Sequence, residues 1–63
     1  MISRLKLELF LKGVNQVEVA RRAGVNLAYI NRIVNGKQVA SAKAIEAFKE
    51  VGIDEEVISA NAN

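Results

Sequence analysis

The side chains with the clearest chemistry lie close together, between residues 27 and 35. Asn31 and Arg32 carry an amide and a guanidinium group. In the DNA major groove Arg pairs with guanine O6 and N7, Asn pairs with adenine N6 and N7, and apolar side chains contact the thymine methyl group. Leu27 and Ala28, just before them, have the apolar character for the last of these contacts. Leu27, Ala28, Asn31 and Arg32 are therefore the predicted base contacts, and the alternative is that Leu27 is partly buried while Asn31 and Arg32 are merely solvated.

The composition excludes most kinds of catalytic and metal-binding site. The chain of 63 residues contains no His and no Cys. The usual zinc ligands, imidazole or thiol catalysis, and a disulfide framework are therefore excluded. The acidic run Asp54–Glu56 is interpreted as negative charge at the start of a helix. We expect no catalytic residues, no metal, no cofactor and no small-molecule ligand, hence a binding protein rather than an enzyme.

The elements that must position these side chains are two short helices within residues 16–35. Ala20 is small where a second helix must cross closely, and Gly24 lies where the turn needs a left-handed residue. The apolar inner face of the two arms is supplied by Val19, Ala23, Val25, Ile30 and Ile33. Two helices at roughly 90–120° joined by a short turn with Gly form a helix-turn-helix, whose second helix can enter the major groove.

Caps and periodicity predict a single all-α domain over residues 1–63. Glycines follow four apolar segments, Asn15 and Glu18 form a capping-box-like pair, and Asn26, Ser41 and Asp54 are suitable N-caps. The five predicted helices are Ser3–Lys12, Gln16–Ala23, Leu27–Val34, Ala42–Val51 and Glu55–Ala60. The closing Asn61-Ala62-Asn63 is interpreted as a frayed end or the start of a linker.

The first helix has an ambiguous pattern. Leucines at every second position from Leu5 to Leu11 suggest a strand. The residue types favour a helix, because Leu, Lys and Glu are strong helix formers and no β-branched residue occurs between Ser3 and Lys12. We predict a helix, with an i, i+3, i+4, i+7 apolar stripe at Leu7, Phe10, Leu11 and Val14.

The face of the second motif helix follows from its pitch. At about 100° per residue, Ile30 and Ile33 mark the buried side, Tyr29 and Val34 flank it, and Ala28, Asn31, Arg32 and Asn35 lie opposite. Asn35 also precedes Gly36 in a turn dipeptide, so it is equally well explained as the helix end.

Charge is unevenly placed along the chain. Residues 1–43 carry a net +6 and residues 44–63 a net −4, which agrees with the overall +2. A basic segment that contains the two-helix motif favours a polyanion partner, here double-stranded DNA, although a solvated surface with chance asymmetry would look the same. The predicted phosphate contacts are Asn15, Gln16, Asn35, Lys37 and Lys43. Arg21 and Arg22 are expected to point to solvent.

No segment has the pattern of a membrane-spanning helix or of a signal peptide. Charges interrupt the apolar run between Met1 and Val14, and no uncharged stretch approaches the ~18 residues that span a bilayer. We expect a cytoplasmic protein without a membrane partner.

The chain resembles the DNA-binding domain of phage repressors and Cro proteins, the lambda-type repressor family. The resemblance covers nearly the whole chain and is carried by Asn15-Gln16-x-Glu18-x-Ala20, Gly24-Val25, Ile30-x-x-Ile33, Asn35-Gly36-Lys37 and Phe48-x-x-Val51-Gly52-Ile53. It implies a five-helix domain that binds operator DNA as a dimer. It also places base contacts at Leu27, Ala28 and Arg32, and phosphate contacts at Asn15, Gln16, Asn35 and Lys37.

Several positions depart from the family pattern. Leu27 and Ala28 stand where some members have long polar side chains, which leaves Arg32 with most of the hydrogen-bonded readout. Leu9 and Val34 stand where some relatives have an ion pair. An apolar replacement of such a pair is often neutral or stabilising. The loop Gln38–Ala40 is less basic than in many members, so we expect modest affinity for the DNA backbone.

The leading hypothesis is a sequence-specific regulator that binds DNA as a dimer. The candidate apolar contacts between the two copies lie in the C-terminal region, at Ile53, Val57 and Ile58. Core packing is the alternative for these three side chains, and it is the preferred interpretation for Ile53. Two other functions stay open. The chain could be the N-terminal DNA-targeting module of a larger protein, such as a transposition protein or an antitoxin, or a protein–protein adaptor that keeps the fold.

Overall fold

The computed structural model of the chain describes residues 3–61, which form five α-helices. In chain order these are α1 (Arg4–Leu11), α2 (Gln16–Ala23), α3 (Leu27–Val34), α4 (Ala42–Glu50) and α5 (Glu55–Asn61). None of the described residues lies in a strand, so the all-α prediction is confirmed. The bounds of α2 and α3 are those predicted, and the other helices differ by one residue at one or both ends.

Side-chain caps explain where the helices begin. Asn15, Asn26 and Ser41 precede α2, α3 and α4, and each side chain accepts a hydrogen bond from a backbone N–H of the first turn. Ser3 does the same for α1 through Lys6 N at 3.1 Å. The first helix therefore begins at Arg4, one residue later than predicted. The backbone carbonyl of Asp54 accepts from Val57 N and Ile58 N as α5 begins.

The helix predicted for this segment is confirmed, but the apolar stripe that favoured it is not the face that meets the core. Leu5 and Leu9 are the buried side chains of this helix, whereas Phe10 is 78% and Leu11 69% exposed. Leu5 and Leu9 are one turn apart and share one face of the helix. Apolar residues occur all around α1, so the pattern alone did not decide which face meets the core.

The core joins all five helices. α2 packs against both α3 and α4, and α5 packs against both α1 and α4. The buried side chains are all apolar: Leu5, Leu9, Val19, Ala20, Ala23, Ile30, Ile33, Val34, Ala44, Ala47, Phe48, Ile53, Val57 and Ile58. Phe48 is the largest fully buried side chain.

Two predictions about the C-terminal region were wrong. Val57 and Ile58 are at most 3% exposed, so they form the core of one chain and are not free to contact a second copy. Ile53 is also buried, which confirms core packing, the interpretation preferred for that residue. Asn61 is not frayed, because it belongs to α5 and its side-chain amide donates to Ile33 O at 2.8 Å and Val34 O at 3.1 Å. Ala62 and Asn63 lie outside the described residues.

Membrane crossing needs a long apolar helix, and none of the helices within residues 3–61 has that length and character.

Candidate nucleic-acid interface

The α2–α3 pair positions the predicted site. Ala20 is buried, and its carbonyl accepts a hydrogen bond from Val25 N at 3.1 Å, across the turn. Gly24 has φ +69°, the left-handed conformation that L side chains rarely adopt. A small residue under the crossing and a glycine in the turn therefore let α3 leave α2 and lie against it, as the sequence predicted.

The outer face of α3 is open. Leu27, Ala28, Asn31 and Arg32 are all exposed, and so is Asn35 directly after the helix. Ile30, Ile33 and Val34 are fully buried on the other side. Val34 was predicted to flank the core and is instead part of it, because it lies one turn beyond Ile30 on the same face. The predicted base contacts thus share one surface, and Leu27 lies at its edge with 44% of its surface exposed.

Three amide side chains form a hydrogen-bonded row along this surface. Asn31 Nδ2 donates to Gln16 Oε1 at 3.2 Å. Asn35 Nδ2 donates to Asn31 Oδ1 at 2.9 Å. The row links the first residue of α2 to the C-cap of α3, so Asn35 ends the helix and also contacts the site. The sequence predicted a role for each of these residues separately, and nothing in its pattern indicated that they bond to one another.

Tyr29 supports the site, although the sequence predicted only that it flanks the core. Its hydroxyl donates to Val39 O at 3.2 Å and accepts from Ser41 N at 2.9 Å, which ties the loop after α3 to the helix. The Arg32 guanidinium carbon lies 6.0 Å from the centre of the Tyr29 ring, at the outer limit of a cation–π contact. A Tyr beside an apolar face, whose hydroxyl needs a partner, was the available signal.

The candidate phosphate contacts are arranged in two places. Asn15 is exposed at the N-terminus of α2, where it accepts from Glu18 N, and Gln16 follows it. Lys37 is exposed in the loop after α3 and forms no ion pair within residues 3–61. Lys43 is exposed in the first turn of α4 and lines a groove with Arg22, Glu46 and Glu50. The structure does not bring Lys43 to the amide row.

The basic side chains of α2 are matched by carboxylates. Glu18 binds Arg21 and Arg22, and Arg22 also reaches Glu50 at 3.3 Å. The hydrogen bond from Arg21, joined by that from Arg22, lowers the pKa of Glu18 below its ordinary value. Only half of the predicted capping box forms, because the Glu18 carboxylate bonds to the two arginines. The two arginines are exposed as predicted, but they are also paired.

The match of the chain to a known protein family agrees with this geometry. A helix-turn-helix family model matches residues 4–55, from the first residue of α1 to the first residue of α5. Neither a curated protein nor a solved structure matches the chain. The family match includes both arms of the motif, the turn at Gly24 and the whole exposed face of α3. The chain therefore belongs to the lambda repressor and Cro-like helix-turn-helix family, and it is a DNA-binding domain.

Proposed function

We propose that the protein is a sequence-specific regulator of phage or bacterial type that represses transcription by occupying an operator. In this proposal α3 lies in the major groove of double-stranded DNA. The observation that carries it is the state of Arg32, which is exposed on the open face of α3 and forms no ion pair within residues 3–61. Its charge and its forked donors are therefore available to a guanine edge. Such a regulator works where the operator is, in the cytoplasm.

The contacts divide into base-reading and backbone-positioning groups. Leu27, Ala28, Asn31 and Arg32 face the base edges. The phosphate contacts are Asn15, Gln16, Asn35, Lys37 and Lys43. Support for the second group comes from the N-terminus of α2, where free backbone N–H groups favour an anion beside Asn15 and Gln16.

A homodimer on the operator is part of the proposal. Two copies related by a two-fold axis place their α3 helices one DNA turn apart, which matches a symmetric site. A single domain of this size is expected to bind weakly and largely without specificity. The dimer contact must use exposed side chains, because Ile53, Val57 and Ile58 are buried.

Selection from a randomised duplex pool tests the proposal. The purified domain is incubated with the pool at two salt concentrations, and bound duplexes are sequenced. We expect a two-fold-symmetric site to be enriched, with affinity that falls steeply as salt rises. Salt-sensitive binding without enrichment would instead identify a non-specific DNA-targeting module.

A protein–protein adaptor is the second candidate function. The observation that favours it is the exposed apolar surface of α1, formed by Leu7, Phe10 and Leu11. An adaptor would bind no duplex even at low salt, so the same experiment separates the two functions.

A further inference from the structure

The amide row of Gln16, Asn31 and Asn35 fixes the orientation of the middle side chain. Asn31 Nδ2 donates to Gln16 Oε1, and Asn31 Oδ1 accepts from Asn35 Nδ2. Both ends of the Asn31 amide are therefore held, although the side chain is exposed. An exposed side chain that is already oriented loses less conformational freedom when it binds a partner.

The hydrogen-bonding capacity left at Asn31 is specific. An amide side chain has two N–H donors and an oxygen with two lone pairs. The row uses one donor and one lone pair, so one N–H and one lone pair stay free. Adenine presents an acceptor at N7 and a donor at N6 in the major groove, which is the complementary pair. Guanine presents two acceptors there and cannot satisfy the free lone pair of Asn31.

The residues before Asn31 in α3 make Asn31 more important for reading the bases. Leu27 and Ala28, at the start of α3, have no side-chain hydrogen-bonding groups. Hydrogen-bonded readout by α3 therefore begins one turn later, at Asn31 and Arg32. Arg32 suits guanine, and the oriented amide beside it suits adenine.

We propose that Asn31 reads an adenine in each half-site, and that Gln16 and Asn35 are positioning residues that hold its amide for this contact. The proposal rests on the proposed function, since it names the base that the same surface selects. It gives Gln16 a role beyond its phosphate contact. Gln16 sets a base preference through Asn31 without itself contacting the base.

Selection with the full chain and three variants tests the proposal. The wild type should enrich adenine at one position of each half-site. Asn31→Ala should reduce the preference for adenine at that position about 5- to 150-fold, the ratio that a bidentate pair provides. Gln16→Ala should reduce the same preference several-fold and leave the other positions of the site unchanged.

Gln16→Glu is the conservative variant that separates positioning from backbone affinity. It keeps an oxygen that accepts from Asn31 Nδ2, so the adenine preference should be retained. Its negative charge should weaken binding to all duplexes by a common factor. Thermal unfolding of each variant, followed by circular dichroism, checks that the domain is folded.

Three other outcomes would overturn part or all of the proposal. A uniform loss of affinity in Gln16→Ala, with adenine still preferred, would make Gln16 a phosphate contact only and overturn the positioning role. An unchanged site in Asn31→Ala would overturn the adenine contact while leaving sequence-specific binding intact. A wild-type chain that enriches no site would overturn the proposed function and this inference with it.

Discussion

At the scale of single residues, the structure separates paired cations from free ones. Arg21 and Arg22 bind Glu18, and Arg22 also binds Glu50. Arg32 and Lys37 have no such partner within residues 3–61. The excess of basic residues was visible in the sequence, but their pairing was not. Arg22 and Glu50 are 28 residues apart and meet only because α2 packs against α4.

Arg32 should carry most of the charged readout. Replacing it by Ala is expected to cost about 1–3 kcal/mol of binding free energy and to relax specificity at one base pair. Lys12→Ala is the matched control, because it removes one charge whose side chain lies beside Gly52, in the turn between α4 and α5. Titration of both variants against the selected site measures the difference. Equal affinities for the two variants would contradict the assignment.

Glu18 should make stability depend on pH on the acid side. The pKa of Glu18 is lower in the folded chain because Arg21, and then Arg22, donate hydrogen bonds to its carboxylate. The stabilisation is therefore complete above the ordinary value of 4.5 and is lost as the pH falls through the folded-state pKa. Melting temperatures measured between neutral and acid pH should fall less for Glu18→Gln than for the wild type.

Arg21→Gln provides the comparison for that experiment. It removes the hydrogen bond that lowers the pKa of Glu18 most and leaves the carboxylate in place. The melting temperature of this variant should also fall less towards acid pH than that of the wild type. If both variants followed the wild-type pH profile, the ion pairs of α2 would have no effect on stability.

For the helices, the sequence predicted the first and last residues better than it predicted which face of each helix is buried. The bounds of α2 and α3 followed from Asn15, Asn26 and Gly24, because caps act through local hydrogen bonds. The buried face of α1 did not follow, because its apolar residues surround the helix. That face is chosen by contacts distant in sequence, among them the bond from Ser3 Oγ to Val34 O at 2.8 Å.

Two adjacent residues of α1 should therefore differ sharply in their effect on stability. Leu9 is buried and Phe10 is 78% exposed. Leu9→Ala is expected to lower the free energy of unfolding by about 2–5 kcal/mol, since it leaves a cavity. Phe10→Ala should change it by no more than about 0.5 kcal/mol. Urea unfolding measures both, and the reverse order would restore the stripe that the sequence suggested.

Gly24 and Gly36 form a second matched pair, because both have positive φ but different surroundings. A Cβ at Gly24 meets nothing within 4 Å, whereas a Cβ at Gly36 would lie 2.9 Å from Asn61 O. Gly24→Ala should cost about 1–2 kcal/mol, the penalty for a left-handed L residue. Gly36→Ala should cost a further ~1–3 kcal/mol, since the backbone of α5 must move. Equal losses in urea unfolding would contradict the contact with Asn61.

At the scale of the whole molecule, the two ends of the described chain meet at the end of α3. Ser3 Oγ and Asn61 Nδ2 both donate to Val34 O, at 2.8 and 3.1 Å. A domain of about 60 residues has only a marginal core, so these bonds help to hold α3 in place. The local sequence did not predict these two hydrogen bonds, because the bonded residues are 31 and 27 positions apart in the chain. They connect the stability of the whole chain to the exposed face of α3, which we propose contacts DNA.

In the proposed complex the exposed face of α3 is the surface that contacts DNA. Backbone amide chemical shifts of the isotopically labelled chain, followed while duplex DNA is added, test it most directly. The largest changes are expected in α3, at the N-terminus of α2 and in the loop at Lys37, with little change in α5. Changes centred on Leu7, Phe10 and Leu11 of α1, with α3 unaffected, would contradict it.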